Sequence, residues 1–389
     1  MIFIGVLTYA LLFCRCRAFD DSLLKHASLD KEWLKEALLW NDEVDGRPET
    51  TEEIESGLKK LESRLGLEEA FRANFASHNF TFQSKRGGDS HTVVLRSTAC
   101  DNSIGPLVLK ELKNDEYDTA GHPLSEPGSI ALDIGGHVGA AALQVAVHAT
   151  ARDSGVITFE PTRENYLFNQ WNMWVNGFHQ NRVVVLHTGV NSEEALMEIR
   201  YSPRDTTGAG KHRHRFRHEM ASGPCKERAP YKVRMMGIEA GLVDLGVLER
   251  VGGGGAPRQG RSVAFVKLDC EGCEYGIVRK FKSFWRDHVA FVTGEMHHHY
   301  AGCVDNVHET VDALCAIDRD IVNRASNPRL CDRTHLQGIP QVCSPTPGGG
   351  GMGRENGKGK KKSGDGGSKD RRKGKGRRSS GSRNYGHRD

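Results

Sequence analysis

The stretch "ALDIGGHVGAAALQVAVHA", residues 131–149, decides how this chain is read. It sets Asp133 at the end of a short apolar run and follows it with Gly135, Gly136 and Gly139. Beyond the glycines it continues as an Ala- and Val-rich amphipathic stretch. Glycines weaken the elements on either side of them, so the turn must need bare backbone. In a strand–glycine turn–helix unit that need is a ligand's close approach, with the helix N-terminus offering unpaired N–H donors.

The same alternation continues on both sides. Apolar strands are expected over 130–134, 156–159, 183–186, 263–268 and 289–293. Helices are expected over 138–150, 162–176, 236–249 and 274–285. Continuous apolar strands alternating with helices imply a parallel sheet covered on both faces. Residues 201–230 and 251–261 interrupt the pattern as polar insertions containing Gly and Pro. Upstream, residues 22–80 read as helical. Thr50 and Glu53 form a capping box ahead of Ile54, Leu58, Leu61 and Leu65, and Trp33, Leu34, Leu38 and Leu39 form an earlier stripe. "HTVVLRS" and "IGPLVLKEL", between 90 and 125, read as strands or a hairpin.

The glycine spacing narrows the ligand. In the dinucleotide fingerprint G-x-G-x-x-G, Asp133 stands where the first glycine belongs and Val138 where the last belongs. The match is better to D-x-G-x-x-x-G, the first motif of S-adenosylmethionine enzymes. That ligand carries an ammonium and a sulfonium and no phosphate, so a carboxylate beside the turn is an asset. The second strand ends "VITFEP", with Glu160 21 residues after Gly139, where an acid can accept both ribose hydroxyls. The third piece, "VAFVKLDCEGCEYGIV", delivers Asp269 and Glu271 at a strand end, with Gly272 turning into a helix that carries Glu274. Ligands of open α/β sheets sit outside the carboxyl ends of the strands. Asp133, Glu160, Asp269 and Glu271 are therefore expected to meet at one crevice.

These three segments resemble the FkbM-type methyltransferases, class I enzymes dependent on S-adenosylmethionine. The resemblance covers about residues 129–300. The first motif is similar to D-x-G-A-N-x-G through Asp133, Gly135 and Gly139, with Gly136 and His137 in place of Ala and Asn. The second is similar to F-E-P followed by spaced asparagines, here Glu160, Pro161, Asn165, Asn172 and Asn176. The third is similar to K-x-D-x-E-G-x-E, here Lys267, Asp269, Glu271, Gly272 and Glu274. The resemblance implies a Rossmann-like sheet with helices on both faces and methyl transfer to a hydroxyl, commonly of a sugar or natural product. It implies S-adenosylmethionine as cofactor, held by Asp133, Gly135, Gly136, His137, Gly139 and Glu160. An alcohol acceptor needs a base within reach, and the candidates are Asp269, Glu271 and His297. Two other readings stand beside it: a nicotinamide oxidoreductase, and a glycan-binding protein that keeps the fold without catalysis.

Composition bounds the rest. Of the chain's 54 Lys/Arg and 50 Asp/Glu, residues 354–389 hold 14 and 4, leaving 40 basic and 46 acidic residues elsewhere. The basic excess belongs to the tail, so the folded part does not read as a specific nucleic-acid binder. The tail, 344–389, is low-complexity Gly/Lys/Arg/Ser sequence expected to be disordered, with polyanion contact as its sharper reading. "KHRHRFRH" in the 201–230 insertion reads as a solvated loop or an acidic-glycan contact.

"MIFIGVLTYALLFCRCRAFDD" opens the chain with about twelve apolar residues, too few to span a bilayer, which takes roughly 20. It reads as a signal peptide over 1–18 or a short retained anchor, placing the protein in the secretory pathway. Membrane contact is expected only if that segment is retained. Eight cysteines follow it, at 100, 225, 270, 273, 303, 315, 331 and 343, and that compartment permits disulfides. The last four read as the pairing set. Cys270 and Cys273 read as small apolar fillers, because a zinc site wants a second C-x-x-C, and no metal is expected, at His297–His299 included. Asn79-Phe80-Thr81 is a glycosylation sequon. The expected organisation is a leader over 1–18, a helical region over 19–90, an α/β domain over 91–343 with its core at 129–300, and the tail.

Overall fold

The computed structural model describes residues between 24 and 294, save 25–26, 29, 39–49, 68–70, 84–89, 152, 179–181, 204–205, 207–224, 226–228, 252–253 and 258–261. The chain divides into Met1–Ser344 and Pro345–Asp389, and every described residue belongs to the first unit. The fold is mixed α/β, built on a five-stranded parallel sheet with helices on both faces.

The sheet comprises β3 (Ser129–Ile134), β4 (Gly155–Phe159), β5 (Val183–Leu186), β11 (Ser262–Leu268) and β12 (Val292–Gly294), in the order β12-β11-β3-β4-β5. All four pairings are parallel. The chain leaves β3 to one side for β4 and β5, and to the other for β11 and β12. β3 and β11 therefore flank the point where the strand order reverses, an arrangement compatible with a Rossmann-like fold.

Burial on both faces explains the uninterrupted apolar runs. Ile130, Leu132, Ile134, Ile157, Phe159, Val266 and Leu268 feed one core. Ala131, Val156, Val183, Val185 and Phe265 feed the other. The second core is closed by α2 (Thr51–Arg64), α4 (Ala140–His148) and α5 (Arg163–Val175). The first is closed by α6 (Ile238–Asp244), α7 (Glu274–Lys280), α8 (Lys282–His288) and the short α1 (Glu32–Ala37). The capping box at Thr50 forms as its sequence requires, each partner's side chain bonding the other's backbone N–H.

Several expectations are corrected. The helical reading of 22–80 ends at Arg64: Phe75–Gln83 is β1, paired antiparallel with β2 (Ser90–Thr98). Asn79 of the sequon is exposed on β1. "IGPLVLKEL" is not a strand. It forms a π-turn over Ile104–Val108 and then α3 (Leu109–Asn114), because its apolar residues serve one side of a helix, with Ile104, Val108 and Leu112 buried. The helix expected at 236–249 is shortened at both ends, since Tyr231–Gly237 is β8 and α6 stops at Asp244, ahead of a strand that starts at Leu248. β8 joins β6 (Gly189–Asn191) and β7 (Ala195–Ile199) in a second, three-stranded sheet. The glycine-rich insertion contributes a hairpin, Leu248–Val251 (β9) with Gly254–Pro257 (β10). The helix expected at 274–285 breaks at Phe281 (φ −112°, ψ 47°) into α7 and α8.

The spaced asparagines of α5 have a structural use. Asn172 donates to the carbonyl of Arg96 (2.9 Å) and accepts from its N–H (2.7 Å). Asn176 does the same with Val94 (2.7 and 2.8 Å). Four residues of helix advance about 6.0 Å and two residues of strand about 6.6 Å. Side-chain amides at i and i+4 can therefore stand in for a neighbouring strand on the open edge of β2, which satisfies buried backbone groups and blunts the edge.

Candidate functional site

At the carboxyl edge of the sheet a polar row crosses otherwise apolar strands. Thr158, Asp133, Lys267 and Thr293 are register partners on β4, β3, β11 and β12, and all four are buried. Thr158 Oγ1 donates to Asp133 Oδ2 (3.1 Å). Lys267 Nζ lies 3.3 Å from Asp133 Oδ1 and 3.3 Å from Asp269 Oδ2, and donates to the Gly135 carbonyl at 2.7 Å. Tyr117 OH also donates to Asp269 Oδ2 (3.2 Å). Burial works to lower the Lys267 ammonium, but Asp269 and Asp133 outweigh it and hold the pKa above the ordinary lysine value. Burial raises the Asp133 carboxyl, and Lys267 opposes the rise. Asp133 is thus the internal partner of Lys267 beneath the turn, and it does not line the cleft. The expected meeting of four acids reduces to three at the cleft, Glu160, Asp269 and Glu271.

The glycines also serve the chain itself. Gly135 has φ +88°, and a Cβ there would collide with the carbonyl of Asp269 in the turn after β11. Gly139 has φ +87°, and a Cβ there would strike Asn169 and Met173 of α5. Bare backbone is needed for turn-against-turn and turn-against-helix packing. Asn172 and Asn169 secure the same turn, Asn172 through the Val138 carbonyl (2.8 Å) and Asn169 through that of His137 (3.3 Å).

Above this floor lies a cleft of about 510 Å³, within the usual range for a small-molecule site. Gly135, Gly136 and His137 line it together with Glu160, Asn165, Asp269 and Glu271. Glu160 ends β4. Its Oε2 accepts from His137 N (2.7 Å) and its Oε1 from Thr162 N (2.7 Å). Burial lifts its pKa to about 7, with those hydrogen bonds opposing the rise. Asn165 Oδ1 is buried with no hydrogen-bond partner, an acceptor placed at the cleft wall. Glu111 and Glu198 add acids to the lining, and Arg279 adds a cation.

His137 has φ +48°, and its side chain bonds Thr206, which donates to the buried Asp101. Asp101 also accepts from Ser103 N (2.8 Å) and Oγ (2.6 Å). The His137 side chain therefore holds Thr206, while its backbone N–H serves Glu160. A disulfide between Cys100 and Cys225 ties the 201–230 insertion next to Asp101. Cys270 and Cys273 are corrected from apolar fillers to a second disulfide lining the cleft. Between them Glu271 (φ +56°) and Gly272 (φ +110°) are left-handed, and Glu274 accepts from Cys270 N (2.9 Å) and Gly272 N (2.7 Å).

His297 and the cysteines at 303, 315, 331 and 343 lie outside the described residues, as do the leader, "KHRHRFRH" and the tail. Among the described residues no group of three or more His, Cys, Asp or Glu is placed to hold a metal ion, and no helix is long and apolar enough to cross a membrane. Sequence reasoning gave no role to Lys267, although a lone cation in the apolar run "VAFVKLD" is a signal. It missed Tyr117, Asp101 and Thr206, which sit in irregular segments without periodicity. In comparison with known proteins, no family model, no curated protein and no solved structure matches this chain.

Proposed function

We propose that this protein is an S-adenosylmethionine-dependent methyltransferase of the FkbM type that O-methylates a carbohydrate or another hydroxyl acceptor in the secretory pathway. The observation that carries the reading is the buried Glu160 carboxylate, fixed by two backbone N–H groups beside a left-handed glycine turn at the reversal of strand order. A rigid acid there suits the two hydroxyls of a ribose. The donor set fits the cofactor's charge as well. Glu160, Asp269, Glu271, Glu111 and Glu198 favour a cation and disfavour a pyrophosphate, and the unpartnered Asn165 Oδ1 suits a ligand donor. The Cys100–Cys225 disulfide supports an oxidising compartment.

When bound, S-adenosylmethionine supplies an electrophilic methyl on sulfonium. The chain's part is to position and to handle one proton. Asp269 is already engaged by Lys267 and Tyr117, so its role is orientation, through its contact with the Gly135 turn. Glu271, in the left-handed turn on the cleft wall, takes the acceptor hydroxyl's proton.

Isothermal titration with S-adenosylhomocysteine and, separately, NAD tests the reading. Binding of the first and none of the second is expected. NAD binding would favour the oxidoreductase, and glycan binding without either nucleoside would favour the non-catalytic alternative.

A further inference from the structure

The Cys270–Cys273 pair stands apart from Cys100–Cys225 in three ways. It closes a loop three residues apart in sequence, against 125 for Cys100–Cys225. Cross-linking so short a loop restricts the unfolded chain far less, so the fold depends on it less. Both its cysteines are half-buried and line the cleft, whereas neither Cys100 (7% exposed) nor the half-buried Cys225 lines it. It also spans the left-handed Glu271 and Gly272, in a turn whose preceding carbonyl touches Gly135.

We propose that Cys270 and Cys273 form a thiol–disulfide exchange site opening on the cleft, whose co-substrate is an uncharged or cationic dithiol. In the exchange, a thiolate of the incoming dithiol attacks one cysteine sulfur. The Cys270–Cys273 bond breaks and a mixed disulfide forms. The second thiol then attacks that mixed disulfide, releasing the oxidised co-substrate. Two electrons and two protons pass to the protein, which is left as the Cys270/Cys273 dithiol. The charge preference follows from the lining: Glu111, Glu198, Asp269 and Glu271 outnumber the cations Lys267 and Arg279, and the Lys267 charge is shared between Asp269 and the buried Asp133. An anionic thiol is repelled at the mouth. Reduction removes the covalent brace across Glu271 and leaves the Glu274 hydrogen bonds as the turn's remaining support. Cleft affinity should therefore fall without the fold being lost. This last consequence, but not the exchange itself, rests on the cofactor reading above.

The test uses the full-length protein, titrated with dithiothreitol, trapped with iodoacetamide and mapped by peptide mass spectrometry. Cys270 and Cys273 are expected to be alkylated while Cys100–Cys225 stays joined. At low salt and matched thiolate concentration, cysteamine should open the pair roughly tenfold faster than 3-mercaptopropionate. S-adenosylhomocysteine affinity should drop about fivefold on reduction, and the Cys270→Ser/Cys273→Ser double variant should show the reduced-state affinity without reductant. Recovery of free Cys270 and Cys273 thiols from protein never exposed to reductant overturns the proposal. So does their reduction no earlier than Cys100–Cys225. Equal rates for the two monothiols overturn the assigned co-substrate class. If the exchange maps as expected but S-adenosylhomocysteine binds in neither state, the site stands and the cofactor reading falls.

Discussion

Replacing Lys267 by Met probes the polar row under the cleft. Met keeps most of the side chain's length and apolar body while removing the ammonium. In the native protein that ammonium faces Asp133 Oδ1 and Asp269 Oδ2, each at 3.3 Å, and bonds the Gly135 carbonyl. Asp133 is 2% exposed, so it has no water to turn to once the cation is gone. Removing one partner of a buried ion pair costs about 3–5 kcal/mol, because the other charge is left uncompensated. For a domain of this size that lowers Tm by roughly 10 °C. The pH dependence carries the sign. The Asp133 carboxyl is already raised by burial with Lys267 opposing the rise, so deleting Lys267 raises it further. An acid whose folded pKa lies above its unfolded one destabilises the fold at higher pH, and the penalty lifts as pH falls through the folded value. The Lys267→Met deficit should therefore be largest at neutral pH and shrink on acidification. Urea denaturation of both proteins at several pH values measures it. A deficit below about 1 kcal/mol, or one that does not change with pH, would refute an ionised Asp133 held by Lys267.

Three further outcomes are expected. Gly135→Ala places a methyl on the Asp269 carbonyl at a left-handed position, and should cost more than about 3 kcal/mol with loss of cleft binding; a stable, binding-competent variant would contradict the turn-against-turn contact. Asn172→Ala strips partners from both backbone groups of Arg96 and from the Val138 carbonyl. At about 1–3 kcal/mol per buried group left unpaired, it should destabilise more than Asn176→Ala, as read by chemical denaturation, because the third bond of Asn176 goes to the Asn172 carbonyl, which the Asn176 N–H also serves. Burial lifts Glu160 to about 7 from an unfolded value of 4.5, so the native state keeps a proton that the unfolded chain releases. This group's contribution to stability should decline as pH rises from about 4.5 to about 7 and level off above, and Glu160→Gln should flatten that part of the profile.

The sequence was most legible where a residue's burial depends on its own strand. The apolar runs at 130–134, 156–159, 183–186 and 263–268 appear within a residue of where they were expected, because both faces of those strands are covered and the polar row of Asp133, Thr158 and Lys267 enters only near their carboxyl ends. The three-stranded sheet of β6, β7 and β8 was not legible: β7 has exposed Leu196 and Glu198, and its pairing with β8 crosses the 201–230 insertion. The glycine turn was found for a partly different reason from the one it has. Its spacing suggested room for a ligand, whereas Gly135 and Gly139 first make room for Asp269 and α5. Asp133 is a related case, paired inside the fold with Lys267. An acid at a strand end reads as a ligand-facing group unless its register partner is known, and the partner here, Lys267, lies 134 positions away in sequence. The asparagines of α5 were visible as a pattern without a cause, since their partners on β2 are more than 70 residues upstream.

The central claim is that the acid-lined cleft takes an adenosyl sulfonium cofactor with its ribose on Glu160. The most direct measurement is a crystal structure of the protein with S-adenosylhomocysteine. The account predicts the ribose hydroxyls bonded to the Glu160 carboxylate, with the amino-acid end beside the turn at Gly135–His137. An empty cleft at saturating ligand, or the nucleoside seated away from Glu160, would contradict it.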